Sequence, residues 1–280
     1  MRLSRVLRMS AVVAVAGLTL AACGGGEDSG SKNLVARAKE DKKVTIGIKF
    51  DQPGLGLQTQ AGKPEGFDVD VAKYIAKELG VDEAGITWKE AQSAERENLI
   101  EKGDVDFIVA TYSITDKRKE KVAFAGPYFV AGQGLLVRAD NTDITGNTAL
   151  NGKKLCSVKG STPAQKIKDE FSKEAQLQEF GKYSDCITAL ENGSIDAVTT
   201  DDVILAGFAA KNPGKFKLVG DAFSKENYGV GLKKDDAESR TAIANAITKM
   251  QTDGAWKASL ESNVGPSGYK IPEPSPVTEK

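Results

Sequence analysis

Residues 99–111, LIEKGDVDFIVAT, and residues 189–201, ALENGSIDAVTTD, are two versions of one design set 90 positions apart. Each ends a helix, stops it at a glycine (Gly103 or Gly193), and passes an aspartate (Asp106 or Asp196) into a strand. A weaker echo relates the strand VTIGI, residues 44–48, to LCSV, residues 155–158, each preceded by lysines. Two α/β units of like build are implied, with mostly parallel sheets because strands alternate with helices. Ligands of such sheets sit beyond the carboxyl ends of strands. The repeated strands end at Thr111 and Asp201, so a hydroxyl and a carboxylate are expected to face one crevice.

Working outward, Phe67, Val71, Ile75 and Leu79 recur every four residues, with Asp68 and Asp70 in the first turn and Gly80 at the stop. That is an amphipathic helix, and its two acids read as complements to the helix N-terminus rather than as a metal pair. The chain has 280 residues, 40% apolar and 28% charged, enough for two medium domains with packed cores. Thirty-eight basic residues against 39 acidic ones give a net charge of -1, too balanced to hold a phosphate backbone, so no nucleic-acid partner is expected. Histidine is absent, which removes histidine triads and the commonest zinc ligand. No metal and no cofactor are called for.

Arg2, Arg5 and Arg8 precede an apolar run over residues 9–20, followed by Leu20, Ala21, Ala22 and Cys23. The run is too short for a permanent span and fits an export signal. It resembles a bacterial lipoprotein signal, whose cysteine receives a diacylglyceryl group and becomes the first mature residue. Residues 1–22 are thus expected to be removed and residues 23–33 to form a lipidated flexible tether, leaving a mildly acidic ectodomain anchored to the cell membrane through Cys23. Cys156 and Cys186 remain, an even pair in an oxidising compartment. They read as a disulfide, the alternative being two buried thiols. Residues 265–280 carry Pro266, Pro272, Pro274 and Pro276 and read as an extended, mobile tail.

Chemistry gathers near the strand ends. After Thr111, the run TYSITDKR places Ser113 and Thr115 around Arg118, a guanidinium able to hold a carboxylate by two parallel hydrogen bonds. In GSTPAQKIKDEF, residues 160–171, Thr162 reads as the cap and Pro163 as the first helical residue of a helix whose start suits an anion. Arg118, Thr162 and Asp201 together match the carboxylate and ammonium of a free amino acid.

With GFDVDVAKYIAKELG, SITDKR followed by AGPY, GSTPA, GSIDAV and DGAW, the chain from residue 44 to 260 resembles the extracellular solute-binding proteins of polar amino-acid ABC transporters, family 3. The resemblance implies a two-lobed, periplasmic-binding-protein-like α/β fold. Two crossover strands, near residues 128–136 and 217–229, would serve as a hinge that closes on the ligand. Lobe 1 would comprise residues 34–131 and 223–264, and lobe 2 residues 132–222. It further implies that Arg118, Thr111, Ser113 and Thr162 bind the ligand α-carboxylate, and that Asp201 takes the α-ammonium. Lys49, with Ser93 and Arg96 of SAER, would contact the ligand side chain. Cationic groups at those positions, and the strand KFDQPGLG, resemble glutamate-binding members, so the implied function is non-enzymatic capture of glutamate, then aspartate, by a monomer that delivers it to a membrane permease. Many relatives carry an aromatic ring where this chain has Gln52; Phe50 or Tyr112 would have to replace it. Two other readings are a binder of a neutral amino acid such as glutamine, and a dehydratase on the same fold using Asp201 or Asp202 as its acid.

Overall fold

The computed structural model describes residues 33–171 and 175–280. The signal segment, Cys23 and all of the tether but Asn33 lie outside the described residues. Asn33 caps the first helix, Leu34–Asp41, its side chain accepting from the Ala36 N–H.

Two five-stranded sheets repeat one topology. In lobe 1 the order is Ile86–Glu90, Val44–Ile48, Phe107–Ile108, Glu226–Lys233, Val122–Ala131. In lobe 2 it is Gln176–Phe180, Lys154–Val158, Ala197–Asp201, Gln133–Arg138, Phe216–Val219. The first three strands of each sheet pair in parallel. The fourth runs against its neighbours on both sides. The sheets are therefore mostly parallel, and the reversed strand in each is the one that has just entered from the other lobe. The chain crosses outward at Gly132, between Val122–Ala131 and Gln133–Arg138, and returns through residues 220–225.

The sequence echo has a mechanical meaning. Gly103 and Gly193 follow the helices Arg96–Glu101 and Tyr183–Glu191 with φ of 72° and 78°, a left-handed conformation that ends a helix and that glycine adopts without steric cost. Four residues on, in Phe107–Ile108 and Ala197–Asp201, come strands that lie beside the first strand of their lobe. Asp106 Oδ2 accepts from the Thr45 N–H at 2.7 Å, and Asp196 Oδ2 accepts from the Lys154 N–H at 2.8 Å. The repeated aspartate thus pins the entry of the first strand in both lobes.

Helix Phe67–Glu78 buries Phe67, Val71 and Ile75. Phe67 meets the rings of Tyr128, Phe129 and Trp256 at 5.8–6.1 Å, and the Trp256 indole N–H donates to the Tyr128 carbonyl at 2.7 Å. Asp70 accepts from the Ser259 hydroxyl and the Asn263 amide, in keeping with a structural role.

Cys156 and Cys186 are bonded, with Cα atoms 5.6 Å apart, and tie strand Lys154–Val158 to helix Tyr183–Glu191. Closing a loop over a separation of 30 residues stabilises by about 3–4 kcal/mol in the chain-entropy account. Denaturant unfolding of reduced, alkylated protein should show that loss against the oxidised form; free thiols in the unreduced protein would contradict it.

The tail departs from expectation. Past the 3-10 turn Gly265–Ser267 it is extended, yet it is strapped down: Gly126 donates to the Glu279 carbonyl at 3.0 Å and accepts from the Thr278 N–H at 2.8 Å, Lys119 pairs with Glu279, and Val277 is buried. The prolines forbid a helix but leave the Thr278 and Glu279 backbone groups free to pair, and the sequence carried no sign of that docking.

Candidate functional site

Between the lobes lies a nearly closed cleft, with a free volume of about 10 Å³, lined by Ser93, Arg96, Thr111, Ser113, Arg118, Ser161, Thr162, Pro163, Tyr183, Asp201 and Ile204. Seven of these residues were singled out from sequence, and Lys49 is the candidate ligand residue that does not line the cleft.

Arg118 belongs to the short helix Asp116–Lys119, where the Thr115 side chain caps the first turn by accepting from the Arg118 N–H. Its Nη1 donates to the Ser113 carbonyl at 2.7 Å, its Nη2 crosses to the Gly160 carbonyl of lobe 2 at 3.0 Å, and its Nε lies 3.5 Å from Glu97 Oε1. A guanidinium has five N–H donors, so two remain for a ligand carboxylate. Arg96 opens helix Arg96–Glu101, is 2% exposed, and donates from Nε to the Ala91 carbonyl at 3.4 Å. Among the described residues it has no carboxylate within ion-pair distance. Tyr112 is buried between these cations, its ring 4.9 Å from each guanidinium carbon. It therefore supports two arginines by cation–π contact and is not a cover for a ligand. Burial, and then the neighbouring Arg118, lower the pKa of Arg96.

Asp201 ends strand Ala197–Asp201 and is 3% exposed. Its Oδ2 accepts from the Tyr228 hydroxyl at 2.5 Å, across the lobe boundary, while its Oδ1 is buried without a hydrogen-bond partner. Burial pushes its pKa well up; the charge of Glu226 adds to this, and the Tyr228 hydrogen bond opposes it. An orphaned carboxylate oxygen in such a place is costly until a donor arrives.

Thr111 adopts φ 46°, an unusual conformation for threonine, and is held there. Its N–H donates to Asp68 Oδ2 at 2.8 Å, and the Tyr128 hydroxyl donates to Asp68 Oδ1 at 2.8 Å. The Thr111 hydroxyl donates to the Ala110 carbonyl at 2.7 Å, and Gln52 Nε2 donates to that hydroxyl at 3.2 Å. Asp68, read as a helix-end acid, is thus also the post on which the strand end is set. Gln52 is buried against Thr111 and does not cover the cleft; Tyr183 of lobe 2 is its aromatic wall. Burial raises the Asp68 pKa to about 6. A folded value above the unfolded one favours folding at low pH, and that contribution is lost as pH rises. The stability of the wild type relative to Asp68→Asn should therefore fall between about pH 4 and 6, measured by denaturant midpoints; a flat difference would contradict this.

The cap of helix Thr162–Glu170 is corrected. Ser161, extended at φ -78° and ψ 153°, is the N-cap and accepts from the Ala164 N–H; Thr162 is the first helical residue and Pro163 the second. The Thr162 hydroxyl, released from capping, donates to Glu226 Oε2 at 2.7 Å and lies 3.2 Å from Ser113 Oγ. Glu226, at the start of the returning strand, is buried and also accepts from the Ser224 hydroxyl at 2.9 Å.

Lys49 is fully buried, 5.8 Å from the Tyr183 ring. Its Nζ lies 3.4 Å from Asp51 Oδ1 in poor hydrogen-bond geometry, so neither atom has a hydrogen-bond partner. Burial lowers its pKa and Asp51 raises it. Asp51, Glu97 and Glu226 carry no signal in the sequence that marks them as site residues, and they place three further acids beside Lys49, Arg118 and Thr162. Tyr183 was legible: it stands 90 positions after Ser93, the same offset that relates Asp201 to Thr111.

The model of the bacterial extracellular solute-binding proteins, family 3, matches residues 44–266. The glutamate-binding protein GluB of Corynebacterium efficiens is 44% identical over 98% of this chain and 95% of its own length. The ABC transporter glutamine-binding protein GlnH of Bacillus subtilis is 36% identical over 91% and 95%. Among solved structures, an ancestral arginine-binding protein bound to glutamine matches with a TM-score of 0.75 and 32% identity over 80% of this chain and 98% of that one. The two sheets of one topology, the cleft between them and these matches have one meaning: the chain belongs to the bacterial extracellular solute-binding proteins, family 3.

Proposed function

We propose that this chain captures glutamate between its lobes and delivers it to a membrane permease, acting as a monomer anchored through a lipidated Cys23. The observation that carries this is the buried Asp201 Oδ1, without a partner, in the same small cleft as Arg118. An α-ammonium satisfies the first and an α-carboxylate takes the free donors of the second, with the Ser113 hydroxyl and the positive end of helix Thr162–Glu170 beside them. Thr111 and Thr162 contribute chiefly as walls, since their hydroxyls already donate to Ala110 and Glu226. For the side chain, Arg96 is a buried guanidinium with no acidic partner among the described residues, and the Lys49 ammonium lies behind Tyr183 with its own donors unused. A second carboxylate fits that end; a neutral amide would leave Arg96 desolvated without a counter-charge. The glutamate-binding relative matches nearly end to end and supports the same choice.

Binding without turnover is part of the reading. Asp202, the spare acid of a dehydratase, has Oδ1 occupied by the Gly132 and Val203 N–H groups and the Tyr269 hydroxyl.

Thermal shift against a panel of amino acids tests the proposal, because a ligand stabilises in proportion to its binding. Glutamate should raise the midpoint most, and a larger shift with arginine would overturn the assignment. Lys49→Met should weaken glutamate by about 3- to 10-fold, because the ammonium acts on the side-chain carboxylate from behind Tyr183 and outside the cleft lining, and glutamine much less. Equal losses would mean that Lys49 supports the fold and does not read the side chain.

A further inference from the structure

Helix Tyr183–Glu191 has no capping side chain of its own. Its N-cap position is Lys182, which makes no side-chain cap bond and places a cation at the positive end of the helix. The cap comes from the other lobe. Asp51 Oδ2 accepts from the Tyr183 N–H at 2.8 Å and the Ser184 N–H at 3.3 Å, satisfying two of the orphan donors of the first turn. Asp51 sits in the short strand Asp51–Gln52, which a hairpin of Gly56–Gln58 and Pro64–Glu65 holds in place. Beside this cap, Lys182 pairs across the lobe boundary with Glu90 at 2.7 Å.

We propose that Asp51 is a positioning residue, an interlobe latch that holds the lobes shut over a ligand it does not touch by capping helix Tyr183–Glu191 from across the cleft. This rests on the reading that the lobes close on an amino acid. Asp51 is absent from the cleft lining, so it acts through the helix. The helix carries Tyr183, the aromatic wall of the cleft, at its first position. It also carries Cys186, bonded to Cys156 of the lobe 2 sheet. A grip on its N-terminus is therefore a grip on the whole lobe and sets the wall in place. With the lobes apart, the two N–H groups and the carboxylate return to water, and the cost of opening includes this charge-assisted cap. Two consequences distinguish the latch from a ligand contact: it slows release more than it changes capture, and it acts on any ligand that permits closure.

The test is stopped-flow binding of glutamate and of glutamine to wild type, Asp51→Ala and Asp51→Asn, with hydrogen exchange read at the Tyr183 and Ser184 amides. Asp51→Ala should raise the release rate of both ligands about tenfold, within the range of a lost cap, with association rates within about twofold. Asp51→Asn, which keeps an acceptor, should recover part of the loss. Faster exchange in Asp51→Ala at these two amides, with the rest of the helix protected as before, would support the latch. Unchanged release rates, or a change confined to one ligand, would overturn it. Should wild type bind neither amino acid, the functional reading fails by itself, and the latch is then decided by the two amides: slower in wild type than in Asp51→Ala upholds it, and equal rates end it.

Discussion

Asp201→Asn should reduce glutamate affinity by roughly 10²- to 10³-fold, the effect of about 3–4 kcal/mol when one member of a buried charge pair is removed. The amide keeps the shape and a bond to the Tyr228 hydroxyl, so the loss reports the charge. Ligand-free stability should move the other way. A buried carboxylate with an orphaned oxygen costs free energy, and a pKa raised by burial means that its stabilising effect belongs to the protonated form and is lost as pH rises through the folded value. Neutral asparagine escapes that loss, so the unliganded variant should be at least as stable as wild type at neutral pH. A weak-binding variant that unfolds more easily would instead mark Asp201 as a structural residue.

Gly207→Ala should block closure without harming the fold. Gly207 lies in helix Asp202–Lys211 of lobe 2, where alanine is favoured over glycine by about 1 kcal/mol. Across the boundary, a Cβ at this position would stand 2.2 Å from the Pro53 carbonyl oxygen of lobe 1, a distance no atom pair of that kind tolerates. Backbone on one side and a helix on the other leave no flexible group to yield, and overpacking of this sort costs about 1–3 kcal/mol. The variant should melt no lower than wild type, bind glutamate about 10- to 100-fold more weakly, and show less compaction by small-angle scattering at saturation. Full compaction with unaltered affinity would show that the loop of Pro53 moves aside and that this contact does not limit closure.

These variants also separate what the sequence could reveal from what it could not. The duplicated Gly-x-x-Asp stretch located both sheets, both strand ends and the crevice between them, because helix stops and strand entries are local properties. Arg118, Ser113, Arg96, Ser93 and Asp201 carry side chains whose chemistry names their role, and the cleft brings all five together. Asp51, Glu97 and Glu226 escaped because an acid read alone looks like a solvated surface group. The partners of Asp51 and Glu226, a helix start 132 residues away and a threonine 64 residues away, exist only after the lobes meet, and that of Glu97, the Arg118 guanidinium, only after lobe 1 has folded. Thr162 was assigned as the cap because Ser161 and Thr162 are both good capping residues; backbone torsions decided between them. The tail was misjudged for a similar reason: prolines specify what a segment cannot form, and leave open the edge it pairs with.

The central claim is that the cleft is built for an amino acid with an acidic side chain, and calorimetric titration of the protein lacking residues 1–23 with glutamate and glutamine in parallel tests it most directly. The expected result is one site per chain, with glutamate bound at least about 30-fold more tightly than glutamine, the difference of about 2 kcal/mol that a buried, unpaired guanidinium imposes. Equal or tighter binding of glutamine, or no heat with either, would contradict the claim.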